Sequence, residues 1–458
     1  MSKWAAVVLG AGVGKRMRSQ TPKVLHPLAG RPMLRYVVDA AREVQPASLI
    51  VVVSPTVRAA RPDLGPCVEY ALQEEPLGTG HALAQASRCI GTLESSSDYV
   101  LVLNGDTPLV SPLTLRALMS HHETSRATVS LVTAVMPQPQ GLGRIVRDSV
   151  RRILGIVEDA DASESQRNIA EVNAGIYAFN AEWLWPHLSV VPRAANGEYY
   201  VTHLIGLAVQ MGLSVHGIAA ADPVEVMGIN NRVQLAQAEA HLRQQVRERL
   251  MLAGVTLVDP PSAFIDAGVQ VGEDTVVYPS TMLLGATHIG RGCQLGPGSL
   301  VRDSTIGDNC RVVSSVIEGA TIEDNVDVGP FSHLRPGAYI ETGVHLGNYV
   351  EVKNSRLGRG AKAGHFSYLG DATIGPDVNI GAGTITCNFD GRDHHPTHIG
   401  AKAFIGSDTM LVAPVRVGEG AVTGAGSVVT HDIGPGEVAY GVPAQVRRPE
   451  RVKEKEKE

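Results

Sequence analysis

The sequence predicts two folds in one chain: an α/β domain built on a mainly parallel sheet, then a parallel β-helix, with a helix joining them. Three observations predict this. Apolar runs alternate with amphipathic stretches as far as Asn230, a single amphipathic stretch continues to Leu252, and beyond Gly254 aliphatic residues recur every six positions. A chain of 458 residues exceeds what one hydrophobic core serves, so separate domains are expected.

In the first half LIVVV (Leu49 to Val53), YVLVL (Tyr99 to Leu103) and TVSLVTAV (Thr128 to Val135) read as buried strands, and MLRYVVDAAREV (Met33 to Val44) as a helix packed on them. Ligands of such sheets bind beyond the carboxyl ends of the strands. Three segments fall there: LGAGVGKRMRSQTPKVL (Leu9 to Leu25) after AAVV, Asn104-Gly105-Asp106 after YVLVL, and Glu158 after ILGIV. The first is a glycine loop, in which backbone N–H groups can approach an anion closely. Its glycines at 10, 12 and 14 do not make the dinucleotide fingerprint, and Arg16 after Gly14-Lys15 excludes the P-loop. The cations Lys15, Arg16, Arg18 and Lys23, with Pro22 stiffening the loop, suit a polyphosphate.

From Asn230 to Leu252, Leu235, Ala238, Leu242, Val246 and Leu250 are spaced by three or four, which predicts a helix with one apolar stripe. The six-residue period follows. Ile265, Val271, Val277, Leu283, Ile289, Leu295 and Val301 hold one register; Ile322, Val328, Leu334, Ile340, Leu346 and Val352 resume it after a slip; Ile399, Ile405, Leu411 and Val417 carry it on. Each of these residues is expected to point into a continuous core on successive coils, about ten in all. Phe389 to Thr397 breaks the register and is expected to protrude as a loop.

Net charge is −6 and the basic residues are dispersed, so no nucleic-acid or membrane partner is expected and small molecules are the expected partners. Ala5 to Leu9 lacks a small-residue cleavage site and reads as the first strand of a cytoplasmic enzyme. Five scattered cysteines, none in C-x-x-C form, argue for reduced thiols. His394-His395-Pro396-Thr397-His398 has no spacing that gathers imidazoles on a metal and reads as an exposed loop.

Over nearly its whole length the chain resembles the bifunctional N-acetylglucosamine-1-phosphate uridyltransferases/glucosamine-1-phosphate N-acetyltransferases, which make UDP-N-acetylglucosamine. In the first half the resemblance is carried by LGAGVGKRM, PKVLHPLAGRPML, ALQEEPLGTGHAL, NGDTPLV, GLGRIV, IVED, EVNAGIY and VMGINNR. It implies a Rossmann-like nucleotidyltransferase domain over 1–230, a linker helix over 231–252 and a left-handed β-helix acetyltransferase domain over 253–446; the final KEKEKE has no apolar content, so a charged, disordered tail is expected over 447–458. It further implies that Leu9, Gly10, Ala11 and Gly12 approach UTP, that Arg16 and Lys23 neutralise phosphate charge, and that Gln73, Gly78 and Thr79 form the uracil pocket. Asp106 and Asn230 would be the protein ligands of Mg²⁺, and Gly143, Glu158 and Asn173 would hold the sugar. Where the family commonly continues E-x-K-D-A, this chain has Glu158-Asp159-Ala160-Asp161-Ala162.

In the second half RPGAYI, GNYVEVKNS, AGHFSYLGDA, NIGAGTITCNFDG and FIGSDTMLVAPV resemble the acetyltransferase site. The resemblance implies that Arg335 and Lys353 bind the sugar phosphate, Tyr368 and Asn379 position the amino sugar, and His365 is the base. Ala382, Ser407 and Ala425 match acetyl-CoA positions, with Asn388 and Phe389 beside the reacting sugar. The loop lysine of the family is replaced by His394. A homotrimer is the assembly the resemblance implies.

Overall fold

Trp4–Gly10 (β1) carries no charged side chain and is buried along its whole length, the pattern of a strand covered on both faces. In the computed structural model, which describes residues 2–60, 62–90, 97–137, 139, 141–194 and 196–447, β1 lies within a sheet. Its other strands are Ser48–Val53 (β2), Glu69–Leu72 (β3), Tyr99–Asn104 (β4), Val129–Val135 (β5), a hairpin of Arg144–Arg147 (β6) and Ile153–Val157 (β7), Glu171–Asn180 (β8) and Val215–Ala219 (β9). The order is β9-β5-β8-β4-β1-β2-β3, with the hairpin joined to β8. All neighbours along this order are parallel except β8, which is antiparallel to both β4 and β5. The chain between β5 and β8 forms the β6–β7 hairpin rather than a crossover helix, so β8 returns antiparallel.

Alternation along β1 sorts its side chains between two cores. Ala6 and Val8 pack with Leu34, Val37 and Val38 of helix α1 (Met33–Glu43), whereas Val7 and Leu9 pack with Leu83 and Ala86 of α2 (Thr79–Ile90). Helices α3 (Pro112–Ser125) and α4 (Thr202–Gln210) complete the first and second layer respectively. Each fully buried aliphatic side chain stabilises this arrangement by about 1.5–3 kcal/mol.

Helix α5 (Arg232–Leu252) starts two residues later than its apolar stripe suggests, because the Asn231 side chain caps it by accepting from Gln234 N–H at 2.9 Å. Ala238, Leu242, Val246 and Leu250 are buried and Leu235 is half-buried. The chain divides into two compact units between Leu242 and Arg243, inside this helix, and Val246 and Leu250 belong to the core of the second unit.

That second core is the interior of a left-handed β-helix whose short strands stack in three sheets of twelve, ten and nine. Of the expected inward residues all are buried except Val271, which is partly so. The slip in the sixfold register has a local cause. Val301 and Ile306, Val312 and Ile317, and Ile317 and Ile322 are five residues apart and all buried. The turns between them close through Asp303, Ser314 and Gly319 at φ 46°, 43° and 57°, the left-handed region that short polar residues and glycine enter most easily. Coils therefore shorten while the inward position is kept, and Val301 pairs with Leu283 behind it and Ile317 ahead.

After Ile385–Cys387 the chain leaves the coil, forms an antiparallel bridge between Phe389 and His394, and rejoins at Thr397–Ile399. Thr397, expected in the loop, is instead the buried first residue of that strand, and His398 follows it. An antiparallel pair, Val438–Gly441 with Ala444–Arg447, covers the last edge. Arg447 thus belongs to a strand rather than to the tail, and the remainder of the expected disordered tail, 448–458, lies outside the described residues.

Candidate active sites

The carboxyl ends of β1 and β4 are tied together by Gly105, whose N–H donates to Leu9 O at 2.9 Å; a Cβ there would stand 2.9 Å from that same oxygen. The next residue, Asp106, accepts from Ile229 N–H at 2.9 Å through its carbonyl, which brings Asn230 alongside. Lys23 completes the group. Its ammonium donates to Asp106 Oδ2 and, at 3.1 Å, to Asn230 Oδ1, and the lysine side chain is only 11% exposed. Gly14, at φ 67°, lies against this lysine so closely that a Cβ would stand 2.5 Å from Lys23 Cβ.

A cavity opens over this group, lined by Leu9, Ala11, Gly12, Arg16 and Lys23 on one side and Gln73, Gly78 and Thr79 on the other. Gly10 does not line it. It lies behind, where a Cβ would stand 3.2 Å from Leu34 Cδ1 and from Val52 O. Gln73 is buried, and its Nε2 donates to Gly78 O at 3.1 Å and lies 2.9 Å from His81 Nδ1. Gly78 is at φ 98°, and a Cβ would come within 2.6 Å of Tyr199 O.

A second cavity shares Arg16, Thr79, Asn104, Asp106 and Asn230 with the first. Gly143, Glu158 and Asn173 line it together. Gly143 O accepts from Asn173 N–H at 2.9 Å, Asn173 Nδ2 donates to Tyr177 OH at 2.7 Å, and Glu158 Oε1 accepts from Thr202 Oγ1 at 2.8 Å. Burial pushes the Glu158 carboxyl above the usual glutamate range, against the lowering effect of the Thr202 hydrogen bond. Ala160 is exposed in the turn that follows and lines neither cavity.

On the β-helix the register arranges the expected residues in columns. Ala363, Ile380 and Ile405 pair in succession, so His365, Ala382 and Ser407, each two residues further on, stack at one corner. Ala382 O accepts from Asp408 N–H at 2.6 Å, and Ser407 O from Gly426 N–H at 2.7 Å, which sets Ala425 above them. His365 is exposed at this corner. One residue beyond the column stand Phe331, Tyr349 and Phe366, 57%, 59% and 55% exposed, the first two stacked at 5.4 Å.

At the far end of the adjoining face, Arg335 and Lys353 lie on consecutive coils, since Leu334 pairs with Val352. Arg335 Nη1 donates to Glu351 Oε1 at 2.9 Å. Lys353 pairs with Gly370, the last residue of the strand Ser367–Gly370 that follows the corner at His365. Tyr368 lies on that strand, and its hydroxyl sits over Gly370, 3.5 Å from Asn388 Nδ2. Asn379 is half-buried next to Ile380, beside Lys362 and Phe404 on neighbouring coils. Phe389 is exposed on the inserted loop and packs on His394, ring centres 5.0 Å apart.

Sequence reasoning missed several residues that the structure adds. Thr202 holds Glu158. Arg144, almost wholly buried, pairs with Asp159 at 2.9 Å and ties together the β6–β7 hairpin that carries Gly143 and Glu158. Asp371 accepts from Asn354 at 2.6 Å and from Asn388, and its Oδ2 lies 3.2 Å from His394 Nδ1. Burial acts against the Asp371 charge, but those hydrogen bonds and the positive charge of Lys353 hold its carboxyl below the usual aspartate range. The motifs GLGRIV, IVED and LGDA contain Arg144, Asp159 and Asp371; for Thr202 no sequence signal existed.

A nucleotide-type α/β fold with a cation-lined cavity, followed by a hexapeptide β-helix with its own polar face, defines a two-domain transferase. Residues 6–172 match the family of MobA-like NTP transferase domains, and residues 396–431 match the bacterial transferase hexapeptide (six repeats). The chain is 48% identical to the bifunctional protein GlmU of Heliobacterium modesticaldum, over 96% of this chain and 95% of that protein. It is 47% identical to the protein of the same name from Trichlorobacter lovleyi (97% of each chain) and 45% identical to that from Pelobacter propionicus (98% of each). It belongs to the family of bifunctional GlmU proteins.

Proposed function

We propose that the chain carries out two successive group transfers: acetyl from acetyl-CoA to glucosamine-1-phosphate on the β-helix, then uridylyl from UTP to the resulting N-acetylglucosamine-1-phosphate in the α/β unit, releasing pyrophosphate and UDP-N-acetylglucosamine. The observation that carries the reading is the junction of two cavities at Asp106 and Asn230, to both of which the Lys23 ammonium donates. A nucleotide whose base lies by Gln73 and Gly78 and a sugar phosphate by Glu158 and Asn173 meet there.

Asp106 Oδ2 and Asn230 Oδ1 converge on a single positive charge, the Lys23 ammonium, and an oxygen-only donor set of this kind fits Mg²⁺. These two residues would hold the ion, which when bound offsets charge on the phosphates and the leaving pyrophosphate. Arg16 and Lys23 add fixed positive charge, and the glycine loop supplies backbone donors. The sugar-phosphate oxygen bonds to the α-phosphorus as the bond to the pyrophosphate oxygen breaks, so alignment of the two substrates is the main task of the site. Glu158 and Asn173 fix the sugar.

In the acetyl transfer His365 takes a proton from the amine as its nitrogen bonds to the thioester carbon, and the C–S bond breaks to release CoA. Arg335 and Lys353 bind the phosphate, Tyr368 and Asn379 orient the amino sugar, Asn388 and Phe389 border the reacting amine, and the Ala382, Ser407 and Ala425 column receives acetyl-CoA. The exposed aromatic column beside His365 supports a homotrimer in which neighbouring copies complete the acetyl-transfer site. Among the described residues no helix is long and apolar enough to cross a membrane; small-molecule partners and a cytoplasmic setting belong to the same reading.

The test is to supply the whole protein with glucosamine-1-phosphate, acetyl-CoA, UTP and Mg²⁺ and to identify the products by mass. UDP-N-acetylglucosamine should form only with all four present; its formation without acetyl-CoA, or its absence from the complete mixture, contradicts the reading.

A further inference from the structure

On the β-helix, side chains from a neighbouring coil and from the inserted loop converge on Asp371. It stands at φ 50° in the turn after Tyr368 and Gly370, with its N–H donating to Lys353 O at 3.1 Å. One carboxylate oxygen accepts from Asn354 Nδ2 at 2.6 Å; the other accepts from Asn388 Nδ2 and faces His394 Nδ1 at 3.2 Å. Asn388 is the first residue of the inserted loop and is buried, although coil hydrogen bonding has already ended there. Gly370 makes room for this packing: a Cβ would stand 2.7 Å from Asn388 Nδ2 and would clash with the Tyr368 hydroxyl. At the other end of the loop, His395 N–H donates to Asn388 O at 2.8 Å. The loop is thus pinned to the coil through Asn388 and His394, and both are held by the one carboxylate.

We propose that Asp371 is a positioning residue for acetyl transfer, acting through Asn388 to fix the loop from Phe389 to His394 beside the acceptor amine. The proposal rests on the reading of this face as the acetyl-transfer site. Without the carboxylate, Asn388 Nδ2 keeps only the distant contacts to Tyr368 OH and His394 Nδ1, 3.5 and 3.4 Å away, and the imidazole loses its charged partner. The acceptor then binds without being aligned, a fault that lowers turnover more than acetyl-CoA binding.

The experiment compares Asp371→Asn, Asn388→Ala and the double variant in the full-length protein, with sedimentation and thermal unfolding as checks on assembly and fold. Asp371→Asn should lower kcat for acetyl transfer by about 10- to 100-fold, with KM for acetyl-CoA within about twofold and uridylyl transfer unchanged. In the Asn388→Ala background the same change should cost less than about threefold, because the group it acts through is gone. A wild-type kcat in Asp371→Asn, or full multiplication of the two losses in the double variant, overturns the positioning role. If Asp371→Asn does not fold, the exposed Asn354→Ala, which frees one carboxylate oxygen, should lose about three- to tenfold in kcat, and no loss overturns the proposal. A wild-type protein that transfers no acetyl group at all overturns the underlying reading of the face, and the proposal with it.

Discussion

Lys23 and Asp106, 83 positions apart in sequence, form an ion pair at the floor of the nucleotide cavity, and the same ammonium reaches Asn230. Asp106→Ala removes the only carboxylate of the proposed metal-binding pair. Loss of several kcal/mol of charge stabilisation corresponds to about 10²- to 10⁴-fold in pyrophosphate release, while acetyl transfer should continue. Steady-state rates of both reactions on the same preparation check this, and parallel loss of both would show that the two sites are not independent.

Glu158 gives a pH prediction. Its folded pKa is raised, mainly by burial, so the protonated form is favoured by folding. Its stability contribution is fully present below the ordinary glutamate value of 4.5 and is lost as pH rises through the folded pKa. Glu158→Gln should therefore be at least as stable as the wild type at neutral pH, with the advantage vanishing below that value. Because a hydrogen-bond acceptor for the sugar is weakened, KM for N-acetylglucosamine-1-phosphate should rise about 10- to 100-fold. Thermal unfolding across pH and initial rates measure the two effects separately.

Gly78→Ala places a Cβ against Tyr199 O at a residue with φ 98°. The backbone conformation alone costs about 1–2 kcal/mol, and the loop that carries Gln73's partner must shift. A raised KM for UTP with unchanged acetyl transfer is expected; an unchanged KM for UTP would remove Gly78 from the base pocket.

Phe331, Tyr349 and Phe366 form an exposed column beside His365. Phe331→Glu with Phe366→Glu should yield monomers by sedimentation, abolish acetyl transfer and spare uridylyl transfer. A monomer with full acetyltransferase activity would contradict the shared-site reading.

Much of this was legible in sequence because periodicity reports directly on burial. The inward series from Ile265 to Val417 reads off the coil positions, and the strand-end placement of Asp106 and Glu158 follows from apolar runs that stop there. What escaped depends on pairing between distant segments. The antiparallel return of β8 leaves no mark in EVNAGIYAFN, and the shortened coils after Val301 look like a loss of period until Asp303, Ser314 and Gly319 are seen closing five-residue sides. Thr202 and Asp371 act on residues that only the fold brings near. The stacking of Arg335 and Lys353 on consecutive coils follows from register, which hexad counting alone does not provide.

The proposed enzyme has two chemically independent sites used in sequence. This is tested most directly by following CoA thiol and pyrophosphate together, with glucosamine-1-phosphate, acetyl-CoA, UTP and Mg²⁺, for wild type, Asp106→Ala and His365→Ala. Wild type should release both products, Asp106→Ala only CoA, and His365→Ala neither at more than about 10⁻² of the wild-type rate, until added N-acetylglucosamine-1-phosphate restores pyrophosphate release in full. Wild-type acetylation by a folded, assembled His365→Ala, or failure of N-acetylglucosamine-1-phosphate to restore pyrophosphate release, would show that the two steps do not run this way.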